Sequence, residues 1–304
     1  MSSGQGLVNK VPRVREVLND PEKSLAERFR ALFTLRNIGG PEAVQAIGEC
    51  FSDSSALLKH ELAYCLGQMQ DKTAIPILVG VLEDKSENPM VRHEAGEALG
   101  AIGCSSVLDL LEEYSKDPQL EIAQTCQLAI ERIKGSNEKP NNTNSKYLSV
   151  DPAPAESMND IEKLTETLLN DKENLYKRYK AMFALRNINS EESIIALCQG
   201  LKKGSALFRH EIAFVLGQMQ EASSVPYLVE SLADENENEM VRHECAEALG
   251  SIATEDCVEV LRKYLNDKSR VVRESCLVAL DIADYEESND FQYANTALKS
   301  RLRI

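Results

Sequence analysis

Apolar residues recur along most of the chain with the spacing of amphipathic helices. At about 100° per residue, Val91, Ala95, Leu99 and Ile102 fall on one stripe of a helix. Residues 73–83 predict a partner helix that starts near a proline. Because no segment shows the apolar–polar alternation typical of strands, the pattern predicts an all-α protein built from helix pairs.

The helix pairs repeat at two levels. Three segments of the first half recur in the second half at an offset of 150 residues without a gap. They are residues 28–38, 60–70 and 90–100, which return as residues 178–188, 210–220 and 240–250. Within each half, an apolar residue at one equivalent position returns every 31 to 33 residues. Two stacked helices in about 30 residues are typical of an α-solenoid, so we predict eight helix pairs in two pseudo-symmetric halves of four.

A polar segment separates the two copies. We place the N-terminal half at residues 1–134, the connector at residues 135–156 and the C-terminal half at residues 157–304. The connector is rich in Asn, Ser and Pro and has no helical periodicity, so we expect it to be flexible. Its typical reach of roughly 25 Å would let the two halves face each other, and the duplication favours a pseudo-two-fold arrangement.

Composition and charge narrow the classes of function. The chain has 304 residues, of which 43% are hydrophobic and 27% charged, as in globular proteins. A formal net charge of −15 argues against a nucleic-acid binder, whose affinity would rest on basic residues. No apolar run is long enough to span a membrane, and the first ten residues do not predict an export signal. We therefore expect a cytoplasmic protein whose eight cysteines are reduced.

Every histidine of the chain precedes a glutamate. The four pairs are His60-Glu61, His93-Glu94, His210-Glu211 and His243-Glu244. A single pair of this kind is most often a solvated surface pair. These four pairs, however, occur only in the second and third repeats of each half, and the other repeats carry different residues there. Helix geometry places the histidines opposite the apolar stripe, so we expect them to have a functional role outside the solenoid core.

Four imidazoles and four carboxylates from two symmetric halves favour a metal site, although each glutamate could instead orient a catalytic histidine. Cysteine is not a plausible ligand. Only Cys126 and Cys276 match at the offset of 150, and they lie in repeats without a His-Glu pair. Two histidines and one carboxylate per metal fit non-haem iron with open positions for dioxygen. Zinc and manganese remain alternatives at this point.

The repeats, the four ordered His-Glu pairs and the flanking Leu-Gly-Gln-Met and Val-Arg-His-Glu segments closely resemble the deoxyhypusine hydroxylase family. The resemblance covers essentially the whole chain outside the connector and implies a HEAT-like α-solenoid. It also implies a monooxygenase with two non-haem irons. Such an enzyme uses dioxygen to hydroxylate the deoxyhypusine side chain in the precursor of translation initiation factor 5A. We further expect the protein to be a monomer.

The resemblance also implies roles for individual residues. The first iron would be held by His60, His93 and Glu94, and the second by His210, His243 and Glu244. Glu61 and Glu211 would be left to anchor the positively charged arm of the substrate. The residues that spacing places near the site, as lining only, are Gly67, Gln68, Gly217, Gln218, Met90 and Met240.

Two other functions compete with this interpretation. A non-catalytic solenoid that binds a protein partner would need no metal, and it leaves the four His-Glu pairs unexplained. A lyase that attaches tetrapyrroles could use similar repeats, but it would not require symmetric His-Glu pairs. Iron content and a visible spectrum of the purified protein distinguish the three possibilities.

Overall fold

The computed structural model describes residues 10–135, 145–288 and 293. Within these residues the regular structure consists of sixteen α-helices and four short 3-10 helices, with no strand. The sixteen helices follow one another as eight pairs, so the predicted all-α solenoid of eight helix pairs is confirmed. None of the helices in the described ranges is long and apolar enough to cross a membrane.

In each pair a short helix of 7 to 10 residues precedes a long helix of 14 to 17 residues. The helices of the first half are α1 Val11–Asn19, α2 Leu25–Ile38, α3 Pro41–Gly48, α4 Ala56–Met69, α5 Ile75–Glu83, α6 Pro89–Ile102, α7 Leu108–Tyr114 and α8 Leu120–Gly135. Those of the second half are α9 Ile161–Leu169, α10 Leu175–Ile188, α11 Glu191–Gly200, α12 Ala206–Met219, α13 Val225–Ala233, α14 Glu239–Ile252, α15 Glu255–Lys263 and α16 Arg270–Glu286.

The long helices of the second and third pairs in each half begin at capping residues. The side chains of Ser55, Asn88, Ser205 and Asn238 accept hydrogen bonds from backbone N–H groups in the first turns of α4, α6, α12 and α14. The two halves therefore start these helices at equivalent positions. As a result, residues 150 apart in the sequence point in equivalent directions.

Buried arginines tie four of the long helices to the short helices before them. Arg28, Arg92, Arg178 and Arg242 each donate through Nε to the backbone carbonyl ten residues earlier, at 2.8 to 2.9 Å. Arg92 also donates to the carboxylate of Asp117, 2.9 Å away at the start of the following long helix. A buried charge is tolerated only with such partners, so these contacts hold consecutive pairs in a defined orientation.

Two glycines allow the site-bearing helices to approach each other closely. A Cβ atom on Gly67 would lie 2.7 Å from the Cα of Ala98, and one on Gly217 would lie 3.0 Å from the Cα of Ala248. Any side chain at these two positions would therefore push α4 away from α6, or α12 away from α14. The close approach brings a histidine of one pair next to the glutamate of the following pair.

The two halves meet at two junctions and enclose a common gap. At the first junction α16 packs against α2 and α4, and at the second α8 packs against α10 and α12. An ion pair between Arg30 Nε and Asp281 Oδ2, 2.7 Å apart, and a hydrogen bond of 2.6 Å from Ser55 Oγ to Glu274 cross the first junction. This arrangement turns α4, α6, α12 and α14 towards one another.

The described part of the connector makes specific contacts with both halves, although its sequence has no helical periodicity. We call residues 145–156 the strap. The carboxylate of Asp151 accepts two hydrogen bonds from Arg186 at 2.6 and 2.9 Å, and its backbone carbonyl accepts one from Arg132 at 2.6 Å. The backbone N–H of Val150 donates to Gln68 Oε1 at 2.8 Å. These partners in both halves hold the strap in place. The rest of the predicted connector, residues 136–144, lies outside the described residues.

Candidate metal centre

The four histidines converge in the gap between the halves. His60 lies on α4, His93 on α6, His210 on α12 and His243 on α14. The ring centroid of His60 is 5.1 to 5.7 Å from those of the other three histidines. None of the four residues is more than 5% exposed. Each half covers the histidines of the other, which explains why side chains that face away from the solenoid core are nevertheless buried.

Carboxylates alternate with these imidazoles in the same way in both halves. His60 Nε2 lies 3.3 Å from Glu94 Oε2, and His210 Nε2 lies 3.3 Å from Glu244 Oε2. The first contact joins α4 to α6, which approach each other at Gly67, and the second joins α12 to α14, which approach each other at Gly217. His60 Nδ1 also lies 3.5 Å from Glu61 Oε1 within its own dipeptide. The centre therefore repeats one motif of imidazole and carboxylate in each half.

Within the described residues, none of the eight histidine ring nitrogens has a hydrogen-bond partner, although all are buried. Burying a polar atom without a partner costs free energy, and a set of such atoms indicates that a ligand completes the site. Two groups of three residues place their ligand atoms within 4.8 Å of one another. They are His60, His93 and Glu94, and His60, His210 and His243. Neither group includes a cysteine, and imidazole with carboxylate is a donor set suited to iron.

The first of these groups is the predicted ligand set of one iron. The second combines residues of both halves and differs from the predicted set of His210, His243 and Glu244. The physical reason is that the two halves interdigitate: the rings of His60 and of His210 each lie within 5.7 Å of the other three rings. By distance alone, His60 could therefore be a ligand of either metal.

The protonation of the histidines is compatible with metal binding. Burial, together with the neighbouring histidines, lowers the pKa of His93 and of His243 well below the ordinary value, so both imidazoles are neutral and can act as ligands. Burial also opposes protonation of His60, but the carboxylates of Glu94 and Glu61 hold its pKa well above the ordinary value. A bound cation would replace that proton in balancing the carboxylates.

Two further glutamates belong to the centre and were not predicted. Glu97 and Glu247 follow His93 and His243 by one helical turn, and both line the cavity that His60 and His210 also line. Glu247 Oε1 lies 3.6 Å from His243 Nδ1. Burial, with the other carboxylates, raises the pKa of both glutamates well above the ordinary value. The sequence contains a signal for them, because each His-Glu pair in the third repeat is followed by a glutamate at the i+4 position of its histidine.

A cavity of about 290 Å³ connects the centre to the surface. Glu61 and Glu211 both line it, as the prediction of an anchoring role requires, and so do Gly217 and Gln218. Its partly exposed wall contains four large aromatic or aliphatic side chains, Phe33, Tyr64, Phe214 and Ile282, next to the polar residues Gln218, Gln220 and Ser251. The cavity is therefore a passage with a partly apolar outer part and a strongly acidic inner part.

Four residues predicted to line the site lie elsewhere. Met90 and Met240, three residues before His93 and His243, line a separate cavity between the starts of α6 and α14. Gly67 is covered by the backbone of α6 at Ala98. Gln68 binds the strap through Val150. None of the four is among the residues that line the cavity beside the histidines.

Comparisons with known proteins agree with this architecture. Residues 11–87, 49–131, 161–239 and 231–291 match HEAT repeats. Deoxyhypusine hydroxylase of Xenopus laevis is 59% identical over 290 residues, which cover 95% of this chain and 96% of that protein. Deoxyhypusine hydroxylase of Homo sapiens is 55% identical over 287 residues, covering 94% of this chain and 95% of the human protein.

A solved structure shows the same similarity in three dimensions. The structure of human deoxyhypusine hydroxylase in complex with glycerol superimposes with a TM-score of 0.90 at 54% sequence identity. It covers 92% of this chain and 98% of the human chain. With full-length relatives at this level of identity and a matching fold, the chain belongs to the deoxyhypusine hydroxylase family.

Proposed function

We propose that this protein hydroxylates the deoxyhypusine side chain in the precursor of translation initiation factor 5A, using dioxygen and two non-haem irons. The observation that carries the proposal is the cluster of eight buried ring nitrogens that lie beside glutamates and have no hydrogen bond within the described residues. The curated relatives named deoxyhypusine hydroxylase supply the reaction and the substrate.

The residues that would hold the metals are His60, His93 and Glu94 for one iron, and His210, His243 and Glu244 for the other. When bound, the irons would supply the activation of dioxygen that no side chain of the cluster can perform by itself. Iron is favoured over zinc because hydroxylation with dioxygen requires a metal that changes its oxidation state.

The chain's own contribution to the reaction is binding and orientation. Glu61 and Glu211 line the cavity and are buried, so their carboxylates can pair with the ammonium groups of the substrate arm in a low-dielectric environment. The aromatic and aliphatic side chains of the partly exposed wall suit the methylene groups between those ammonium groups. The net charge of −15 favours the approach of a basic substrate segment.

Burial also protects the reacting centre. The two halves leave His93 and His243 with no exposed surface, so bulk water has no access to these two proposed ligands, while the other four line the cavity. Excluding water strengthens the electrostatic contacts within the site and limits side reactions. All eight proposed metal and anchoring residues come from one chain, which supports our proposal that the protein acts as a monomer.

The proposal is tested by combining metal analysis with product analysis. Protein reconstituted with ferrous iron is incubated in air, with a reductant, together with a precursor that carries deoxyhypusine. We expect about two irons per chain and a gain of one oxygen atom in the precursor by mass spectrometry. Protein reconstituted with zinc serves as the matched control and should be inactive. Full activity of the zinc protein, or no hydroxylation by the iron protein, would contradict the proposed function.

A further inference from the structure

The pseudo-symmetry of the chain gives the metal centre two potential openings, one beside each junction of the halves. The cavity described above lies at the first junction and is lined by Glu247 and by Ile282 of α16. The residues equivalent to these two, at an offset of 150, are Glu97, which the same cavity also reaches, and Arg132 of α8, which it does not reach. By symmetry alone, a second passage beside Glu97 and Arg132 would be equally open.

The space beside Glu97 and Arg132 at the second junction is instead almost filled. A cavity is present beside Glu97 and Arg132, but its volume is only about 10 Å³, compared with about 290 Å³ at the first junction. Pro152 of the strap forms part of its wall. Two equivalent phenylalanines also indicate that the second junction is more closed. Phe183 at the second junction is fully buried, whereas Phe33 at the first junction is partly exposed.

Specific contacts hold the strap at the second junction. Gln218 donates through Nε2 to Ser149 Oγ at 2.9 Å, and Gln68, its equivalent in the first half, binds the backbone of Val150. Asp151 joins Arg186 of α10 to Arg132 of α8, so the strap is bonded to both helices that meet there. Ile282, the counterpart of Arg132, has an apolar side chain and cannot make the equivalent hydrogen bond.

From this asymmetry we propose that the strap closes one of two symmetric openings, so that the substrate arm reaches the metal centre only at the first junction. We call that opening the mouth and define it by Phe33, Tyr64, Phe214 and Ile282. The inference rests on the proposed function for the identity of its occupant, an aliphatic arm that carries ammonium groups. The apolar mouth fits the methylene chain, and the acidic interior fits its positive charges.

A matched pair of cysteine substitutions tests which side is open. Ser251 and Ala101 are equivalent residues near the ends of α14 and α6, and the backbone carbonyl of each accepts a hydrogen bond from an equivalent glutamine. Ser251 lines the open cavity and is partly exposed, whereas Ala101 is buried. We would introduce Ser251→Cys or Ala101→Cys into a Cys104→Ser background, because Cys104 is the one native cysteine in the described residues that is not buried.

Each iron-loaded variant would be treated with a bulky maleimide. We expect Ser251→Cys to react more than about tenfold faster than Ala101→Cys, and labelling at position 251 to lower turnover more than about tenfold relative to the same variant before labelling. Iron content should stay unchanged. Releasing the strap with Asp151→Ala should then accelerate the labelling of Ala101→Cys.

Several results would overturn the inference. Equal labelling rates at the two positions would show that the second side is open as well, and so would labelling at position 101 that blocks turnover. Full turnover by protein labelled stoichiometrically at position 251 would show that the arm does not pass the mouth. The labelling rates require no catalysis, so they test the asymmetry of the two openings by themselves. If the unlabelled protein did not hydroxylate the precursor, that failure would count against the proposed function alone.

Discussion

His60 and Glu94 lie on consecutive long helices, and their Nε2 and Oε2 atoms are 3.3 Å apart. The same relationship at the same distance joins His210 and Glu244 in the second half. Each contact therefore connects the His-Glu pair of one repeat to that of the next. It depends on the close approach of the helices at Gly67 and Gly217, so the packing of the solenoid and the assembly of the centre are coupled.

Replacing a central histidine should remove metal. We expect His60→Ala to abolish iron binding and activity, because its ring is near all three other histidines and both groups of ligand atoms include it. Iron per chain, measured after reconstitution and desalting, is the readout. Lys134→Ala, at an exposed position, is the control and should keep its iron. Full iron content in the histidine variant would refute its role as a ligand.

The anchoring glutamates should separate metal binding from substrate binding. We expect Glu61→Gln and Glu211→Gln to retain iron and to raise KM for the deoxyhypusine precursor more than about tenfold, because each amide has the shape of the carboxylate but no charge to pair with an ammonium group. Iron analysis and steady-state kinetics check this. A variant that loses iron while KM stays unchanged would identify that glutamate as a metal ligand instead.

The unpredicted glutamates should act by orienting the histidines. Glu247 Oε1 is 3.6 Å from His243 Nδ1, and carboxylates placed behind ligating histidines typically change metal affinity about 10-fold to 100-fold. We therefore expect Glu247→Gln to weaken iron binding by about that factor while the fold is retained. Competition with a chelator measures the affinity, and circular dichroism monitors the fold. An affinity equal to that of the unmodified protein would exclude this orienting role.

Metal binding should stabilise the folded protein, because the ligands come from both halves and the unfolded chain cannot bring them together. Removing iron with a chelator should lower Tm by several degrees, and restoring ferrous iron should recover it. Differential scanning fluorimetry in both states gives the shift. The His60→Ala variant should show no response to the chelator, and a response equal to that of the unmodified protein would point to another metal site.

The buried arginine contacts should contribute strongly to stability. Arg92 donates to the carbonyl of Leu82 and to Asp117, and both charged side chains of this ion pair are at most 5% exposed. Arg92→Ala should lower the free energy of unfolding by about 3–5 kcal/mol, since it leaves a buried carboxylate without its partner. Urea denaturation of the iron-free protein measures the change. Lys134→Ala, which removes the exposed Lys134–Glu112 pair, should have no measurable effect on the free energy of unfolding. Equal losses of stability in the two variants would contradict the importance of the buried pair.

Much of the architecture could be predicted from local sequence patterns. The helical spacing of apolar residues such as Val91 and Leu99 predicted the helices, and the offset of 150 residues predicted the two halves. The four His-Glu pairs identified the residues that converge, because a duplicated helix presents the same residues on the same face. The helices and the faces of their side chains depend on neighbours within one or two helical turns, and the two halves follow from a repeat that is visible in the residue order, so the sequence alone specifies both.

Other features depend on distances between segments far apart in the chain, which no local pattern specifies. The proximity of Glu247 to His243 follows from helix geometry and could have been inferred, but the contact of His60 with Glu94 required the glycine-mediated packing of two helices. Met90 and Met240 precede two of the histidines by three residues, close to one helical turn, yet they line another cavity between the starts of α6 and α14. The contacts of the strap were the structural feature least evident from the sequence. A polar segment without periodicity resembles a flexible connector until Arg132 and Arg186 come together in the folded chain and hold Asp151 between them.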